Sequence, residues 1–130
     1  MKISNGMEEN NDYKFKIWRR DDGIIAVKTG EKKWIEEDAL RFKKELFEVL
    51  DKVEGKTKIL GDATEAGFGP TAVARKIYAE IIKSPKIGKS AIFGLSKPNQ
   101  VIVSFLLNMT GKKDLKVFST EEEAVKWLKE

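Results

Sequence analysis

Cysteine and histidine are both absent from this chain of 130 residues. Their absence excludes disulfides, thiol nucleophiles, proton transfer by imidazole, and zinc sites built from thiolate or imidazole ligands. Carboxylates, hydroxyls and amines are the groups that remain for chemistry. We therefore expect a protein that is not an enzyme and that holds neither a metal nor a cofactor.

Proline is scarce, with three residues, and no apolar run is long enough to span a bilayer. The chain is 41% hydrophobic and 35% charged, a balance that is typical of a folded domain and not of a disordered chain. Residues 1–12 are polar and lack the apolar centre of a signal peptide. These features predict a flexible segment at 1–12 and a single domain at 13–130, in the cytoplasm and without membrane insertion.

Two kinds of hydrophobic spacing alternate along the chain. Residues 13–18 alternate apolar with charged side chains, Asp21-Asp22-Gly23 supplies a turn, and an apolar run follows at 24–27, which together predict a β-hairpin. Beyond it, short apolar stretches at 58–62, 90–95 and 115–118 separate four stretches with helical spacing. The sequence predicts an α/β fold in which an N-terminal β-hairpin is followed by βα units, giving a mixed, mostly parallel sheet of about five strands packed with four helices.

Two of the predicted helices carry further signals. The first has an apolar stripe that comprises Ile35, Ala39, Phe42, Leu46, Val49 and Val53. The last begins at Ser119-Thr120, and the glutamates at 121–123 complete a capping box with these hydroxyls.

A net charge of +4 raises the question of a nucleic-acid partner. The lysines are grouped behind the first three predicted helices, at residues 52–58, 83–89 and 112–116. Cations at helix C-termini complement the helix dipole, and no aromatic residues alternate with these lysines in the manner that stacks bases. The sequence therefore favours a structural role for the lysines and predicts no nucleic-acid partner.

Asp62, Thr64 and Glu65 follow a predicted strand and offer oxygen ligands for a hard cation such as magnesium. An Asp in this position is more typical of a turn or helix cap, so we predict no metal site. Chemistry by these three residues is the remaining enzyme hypothesis, and it requires convergent carboxylates in a polar pocket.

The second and third predicted helices begin at Pro70 and Pro98, and neither has an acidic residue in its first turn. An uncompensated helix N-terminus attracts anions, and ligands of open α/β sheets gather at the carboxyl ends of strands. Thr71 and Asn99 are therefore candidate binding residues. The alternative is that two helices of four lack an acid by chance.

Residues 98–111 contain no charge, in a chain of which one third is charged. The third helix, which includes Phe105, is therefore apolar nearly all round. Three explanations remain open: burial on several sides, a surface for self-association or a protein partner, and an apolar ligand such as a lipid beneath the helix.

Three stretches occur in an order that is suggestive of a family: ILGD at 59–62, RKIYAEI at 75–81 and STEEEAVKWL at 119–128. Together with the leading hairpin they resemble the STAS superfamily, and more narrowly its SpoIIAA-like branch, over residues 13–130. The resemblance implies an α/β domain that works by protein contacts, as in antagonists of anti-sigma factors.

In that family a Ser or Thr at the start of the helix after the third strand is phosphorylated to abolish binding. Thr71 is the hydroxyl residue nearest that place, which makes it the candidate phosphoacceptor; the other interpretation is a solvent-exposed Thr at a helix start. The family's Asp-Ser-Ser-Gly signature is absent, and Gly67-Phe68-Gly69-Pro70-Thr71-Ala72 stands in its place.

These observations lead to two functional hypotheses. The first is a non-catalytic regulatory module, similar to an anti-sigma-factor antagonist, that docks a protein partner or a second copy through residues 67–72 and the third helix. The second is a carrier for a small apolar ligand or lipid, with a cavity beneath the third helix and an anion at the two helix starts. The candidate binding residues are Asp62, Thr64, Phe68, Gly69, Thr71, Asn99 and Phe105.

Overall fold

Six strands form one sheet in which the order of the strands in space is their order along the chain. The structure is a computed structural model that describes residues 3–5, 14–30, 34–66, 72–111 and 114–130. The strands are β1 (Ile3–Asn5), β2 (Phe15–Arg19), β3 (Ile25–Thr29), β4 (Thr57–Asp62), β5 (Ile87–Phe93) and β6 (Leu115–Phe118). The helices are α1 (Glu36–Leu50), α2 (Ala72–Ile82), α3 (Lys97–Thr110) and α4 (Glu121–Lys129).

The direction of strand pairing changes once across the sheet. β1, β2 and β3 pair antiparallel, whereas β3, β4, β5 and β6 pair parallel. Parallel neighbours need a crossover connection, and α1, α2 and α3 supply the three that are required. Because right-handed crossovers that advance in one direction lie on one side of a sheet, these three helices share a face. α4 packs on the opposite face.

The predicted fold class is confirmed, with the hairpin first and the βα units after it. The sheet has six strands instead of about five, because β1 adds to the edge and pairs Ile3 with Trp18. β1 lies within residues 1–12, which the sequence predicts to be a flexible N-terminal segment. The domain boundary at residue 13 otherwise stays a prediction.

The stripe predicted for the first helix was wrong at both ends. Ile35 is the N-cap residue and 53% exposed, and its backbone N–H donates to Asp38 Oδ2 at 2.8 Å. Val53 lies beyond the last helical residue. The stripe that enters the core consists of Ala39, Phe42, Leu46 and Leu50.

The face covered by α1 and α2 carries the larger core, in which four aromatic rings pack together. Phe15, Trp34, Phe42 and Tyr78 have ring centroids 5.2 to 6.1 Å apart in the pairs that touch. Trp34 Nε1 donates to the carbonyl oxygen of Lys14 at 3.1 Å, so burial of the indole leaves its donor paired. This aromatic cluster joins α1 and α2 to the hairpin.

The face covered by α4 carries a second, smaller core. One half of the capping box predicted for this helix is formed, since Thr120 Oγ1 accepts a hydrogen bond from the Glu123 backbone N–H at 3.2 Å. The Glu123 carboxylate accepts from the Thr120 hydroxyl at 3.2 Å. The core residues of this face are Ile24, Leu60, Ala91, Phe93, Ala124 and Leu128.

Two lysines of the groups behind the helices make structural contacts. Lys89 Nζ donates to the carbonyl oxygens of Trp127 and Glu130 at the end of α4, both at 3.2 Å. Lys86 forms an ion pair with Asp51, directly after α1. These contacts favour the helix-dipole explanation of the positive charge.

The loops that follow β4 and β5 pass close to each other. Gly94 has a φ of +82°, and a Cβ atom placed on it would lie 2.5 Å from Thr64 Cγ2. The backbone nitrogen of Thr64 would lie 3.0 Å away, so the contact involves the backbone as well as the side chain. Gly94 therefore allows the close approach of these loops.

Replacement of Leu46 by Ala should lower the free energy of unfolding by roughly 2–5 kcal/mol, because truncation of a fully buried side chain leaves a cavity. Leu46 is 2% exposed, whereas Leu40 on the same helix is 49% exposed. Leu40→Ala is therefore the matched control and should change stability by no more than about 0.5 kcal/mol. Urea denaturation measures both variants, and equal losses would contradict the orientation of α1.

Gly94→Ala should destabilise the protein more than Gly23→Ala does. Both glycines have positive φ, but a Cβ atom on Gly23 would have nothing within 4 Å. Gly23→Ala should thus lose only the roughly 1–2 kcal/mol that a left-handed conformation costs. Thermal unfolding compares the two variants, and equal melting temperatures would show that the two loops are not in contact.

Candidate functional site

A cavity of about 220 Å³ lies between the sheet and the helices α1, α2 and α3, and most of its wall is apolar. The sheet, all three helices and the loop before α3 contribute to the wall. Its apolar side chains include Val27, Trp34, Phe42, Leu46, Ile59, Ile81, Ile82, Ile87, Ile92, Leu95, Ile102, Val103 and Leu115.

Gly61 forms the middle of the cavity floor. In the sheet register it lies between Val27 on β3 and Ile92 on β5, and all three residues line the cavity. A Cβ atom on Gly61 would lie 3.3 Å from Ile92 Cγ1. Val27 and Ile92 are only half-buried, although both belong to interior strands. Glycine at this position thus allows the Ile92 side chain to approach the β4 backbone closely.

α3 presents two stripes of residues. The inner stripe lines the cavity and consists of Asn99, Ile102 and Val103. The outer stripe has helical spacing and consists of Val101, Ser104, Phe105 and Asn108, all of them exposed. Val101 is 70% exposed and Phe105 is 58% exposed. Among the apolar side chains of α3 that the structure describes, Ile102, Val103 and Leu107 are half-buried, whereas Val101 and Phe105 are exposed.

The start of α3 is capped by the chain itself. Ser96 Oγ accepts a hydrogen bond from the Asn99 backbone N–H at 3.4 Å, and the Ser96 carbonyl accepts one from Gln100 N–H at 2.9 Å. Asn99 is 7% exposed. An anion at this helix start would have to compete with Ser96 for the Asn99 donor.

Tyr78 contributes the α2 part of the wall together with two isoleucines. Its ring lies 5.4 Å from Trp34 and 6.1 Å from Phe42, measured between centroids. Burial, and after it the charge of Asp38, raises the pKa of the Tyr78 phenol far above its ordinary value. The hydroxyl therefore stays protonated at physiological pH and can donate a hydrogen bond.

Asp62 caps the turn after β4. Its Oδ1 accepts hydrogen bonds from the backbone N–H of Thr64 at 2.9 Å and from Thr64 Oγ1 at 2.6 Å. Lys28 Nζ lies 4.0 Å from Asp62 Oδ2 and 3.0 Å from Glu65 Oε2. Thr64 and Glu65 are exposed, so these carboxylates do not enclose a polar pocket. The arrangement gives the hypothesis of carboxylate chemistry no support.

No cluster of three or more acidic side chains that could hold a metal ion occurs in the described ranges of the chain. Within the same residues, every helix is too short or too polar to cross a membrane.

The structure separates the candidate binding residues into three groups. Asp62 and Asn99 line the cavity, and Thr64 is bound to Asp62 at its edge. Phe105 lies on the outer stripe of α3, away from the cavity wall. The remaining three candidates lie outside the described residues: Phe68, Gly69 and Thr71.

Sequence reasoning missed two residues that shape the cavity. Tyr78 belongs to the apolar stripe of α2, which gives no sign that this residue lines a cavity. Gly61 stands inside a predicted strand, and an isolated glycine in a strand is a signal of close approach by another group. That signal could have identified the floor of the site.

Known proteins share the fold of this chain. A family model described as SpoIIAA-like matches residues 24–129. An uncharacterized protein from Shewanella loihica PV-4 with a SpoIIAA-like fold superposes with a TM-score of 0.66 at 21% identity, over 97% of this chain and 93% of its own. A serine-to-glutamate variant of Moorella thermoacetica RsbS gives 0.62 at 17% identity, over 87% of this chain and 92% of its own. No curated protein matches the sequence.

At these identities the two solved structures establish the fold alone. The family model spans β4, the cavity floor and all four helices. The chain belongs to the SpoIIAA-like family.

Proposed function

We propose that this protein is a non-catalytic binding module that holds a small apolar ligand in the cavity beneath α3. The observation that carries this proposal is the cavity of about 220 Å³ with an almost wholly apolar wall. Protein interiors are normally packed as densely as organic crystals, so a void of this size departs from the rule. A ligand would restore the contacts that the wall lacks.

An empty cavity lowers the stability of a folded protein. Residual cavities in protein cores lower stability by about 24 cal/mol per Å³. This cavity is partly open to solvent, so the roughly 5 kcal/mol that an enclosed dry void of about 220 Å³ would cost is an upper bound for it. Filling the cavity with an apolar molecule offsets that cost, and the gain contributes directly to affinity.

The volume also sets the size of the ligand. An engineered apolar cavity of about 150 Å³ binds benzene, and pockets for drug-sized molecules begin at about 300 Å³. The present cavity lies between these values. We therefore expect a ligand with one or two rings, or an aliphatic group of similar volume.

Val103→Phe should abolish binding of such a ligand, because the larger ring on the inner stripe occupies the cavity. Val101→Phe makes the same change on the same helix but at a position that is 70% exposed and outside the wall, so it should leave affinity unchanged. Isothermal titration calorimetry with 2-naphthol as the probe measures both. Unchanged affinity in Val103→Phe, or a loss in Val101→Phe as well, would contradict the assigned site.

A second candidate function rests on the outer stripe of α3. Two large apolar side chains, Val101 and Phe105, are exposed on it, and the exposed Lys97 lies one turn before Val101 at the start of the helix. Membership of the SpoIIAA-like family and the fold likeness to RsbS support a regulatory role through protein contacts, of the kind that antagonists of anti-sigma factors have. A second copy of the chain is the partner we propose, because two such stripes can meet antiparallel about a two-fold axis with their apolar side chains together and the two Lys97 side chains at opposite ends.

Phe105→Ser should weaken self-association, because Phe105 is the largest exposed side chain of the stripe. Leu40→Ser is the matched control, since Leu40 is similarly exposed but lies on α1. Sedimentation velocity over a concentration series is the measurement. A wild-type protein that stays monomeric at every concentration would exclude the second copy as the partner.

A further inference from the structure

We infer that the cavity selects a neutral ligand: a flat apolar body of one or two rings that carries a single uncharged hydrogen-bonding group, such as a phenol. This inference rests on the proposed ligand-binding function and specifies its chemistry. Three features of the wall carry it, namely the placement of charge, the available polar groups and the aromatic surface.

Charge is nearly absent from the wall. Among the lining residues that the structure describes, Asp62 alone is charged, and no lysine or arginine is present. The Asp62 carboxylate already accepts two hydrogen bonds from Thr64 and pairs with Lys28. An anionic ligand would lose its hydration without gaining a cation in the wall.

Two residues of the wall, Ser90 and Tyr78, carry hydroxyl groups. Ser90 is 6% exposed, and its Oγ donates to the Gly88 carbonyl at 3.4 Å, a length at which hydrogen bonds are weak. Tyr78 also lines the cavity, and its phenol can donate one hydrogen bond. A single uncharged polar group on the ligand can therefore find a hydrogen-bonding partner in the wall, whereas without one it would lose its hydrogen bonds to water.

The aromatic surface favours a flat ligand. Tyr78, Trp34 and Phe42 all line the cavity, and their rings hold one another in tilted and edge-to-face contacts. Aromatic rings gain from offset and edge contacts beyond the burial of their area. The Trp34 donor is already bonded to Lys14, so this residue offers its ring face and not a hydrogen bond.

Calorimetric titration of the full chain with three probes of one skeleton tests the selectivity. We expect 2-naphthol to bind most tightly, naphthalene more weakly, and naphthalene-2-sulfonate, a permanent anion, at least tenfold more weakly than 2-naphthol. Sulfonate binding as tight as that of 2-naphthol would overturn the inference. Failure of all three probes to bind would overturn the proposed function itself, so the two failures are distinguishable.

Tyr78→Phe and Ser90→Ala test the hydrogen bonds. Each should lower the affinity for 2-naphthol by roughly two- to tenfold, the value of one hydrogen bond, and leave the affinity for naphthalene unchanged. Equal losses for both probes, or no loss in either variant, would show that these hydroxyls do not bind the ligand. If a variant unfolds, the comparison of the three probes on the wild-type protein still decides the selectivity.

Discussion

Three helices share one face of a narrow sheet, and the rest of the molecule depends on this constraint. Strands β3 to β6 advance in one direction, so right-handed crossovers place α1, α2 and α3 on the same side. α1 and α2 fill their part of that face with the aromatic cluster, in which Phe15 and Phe42 meet at 5.3 Å. α4 covers the opposite face by itself, with Leu128 fully buried.

The cavity follows from how α3 meets the sheet. Its inner stripe lies over the row Val27, Gly61 and Ile92, and the middle member of that row has no side chain. Val27 and Ile92 are half-buried, and Ile92 Cγ1 lies 3.3 Å from where a Cβ atom on Gly61 would stand. The cavity brings this row together with side chains of all three helices, and a concave, mostly apolar pocket of this kind is the usual form of a small-molecule site.

Sequence periodicity predicted the fold class because each helix and the longer strands carry a local pattern of their own. Periodicity did not predict β1, because three residues are too few to show an alternating pattern. This strand is defined by its pairing with β2. Ile35 continues the helical spacing but is exposed, because the chain enters α1 there. The lack of charge over residues 98–111 indicated that α3 is buried, carries a contact surface or covers an apolar ligand. The cavity itself depends on which residue of β4 faces which residue of β5, and no local pattern contains that register.

The two candidate functions use opposite sides of one helix and are therefore not independent. A ligand that packs against Ile102 and Val103 contacts the same rigid element that carries Val101 and Phe105 on its outer stripe. If ligand binding shifts α3 relative to the sheet, it changes the affinity of the outer stripe for a partner. By thermodynamic linkage, binding of the partner then changes the affinity for the ligand by the same factor. If α3 does not move, a tightly bound ligand has no effect on partner binding. A ligand that binds two conformations of the protein equally well does not change their populations. The position of α3 is thus the quantity that decides whether this cavity is a store for its ligand or a sensor of it.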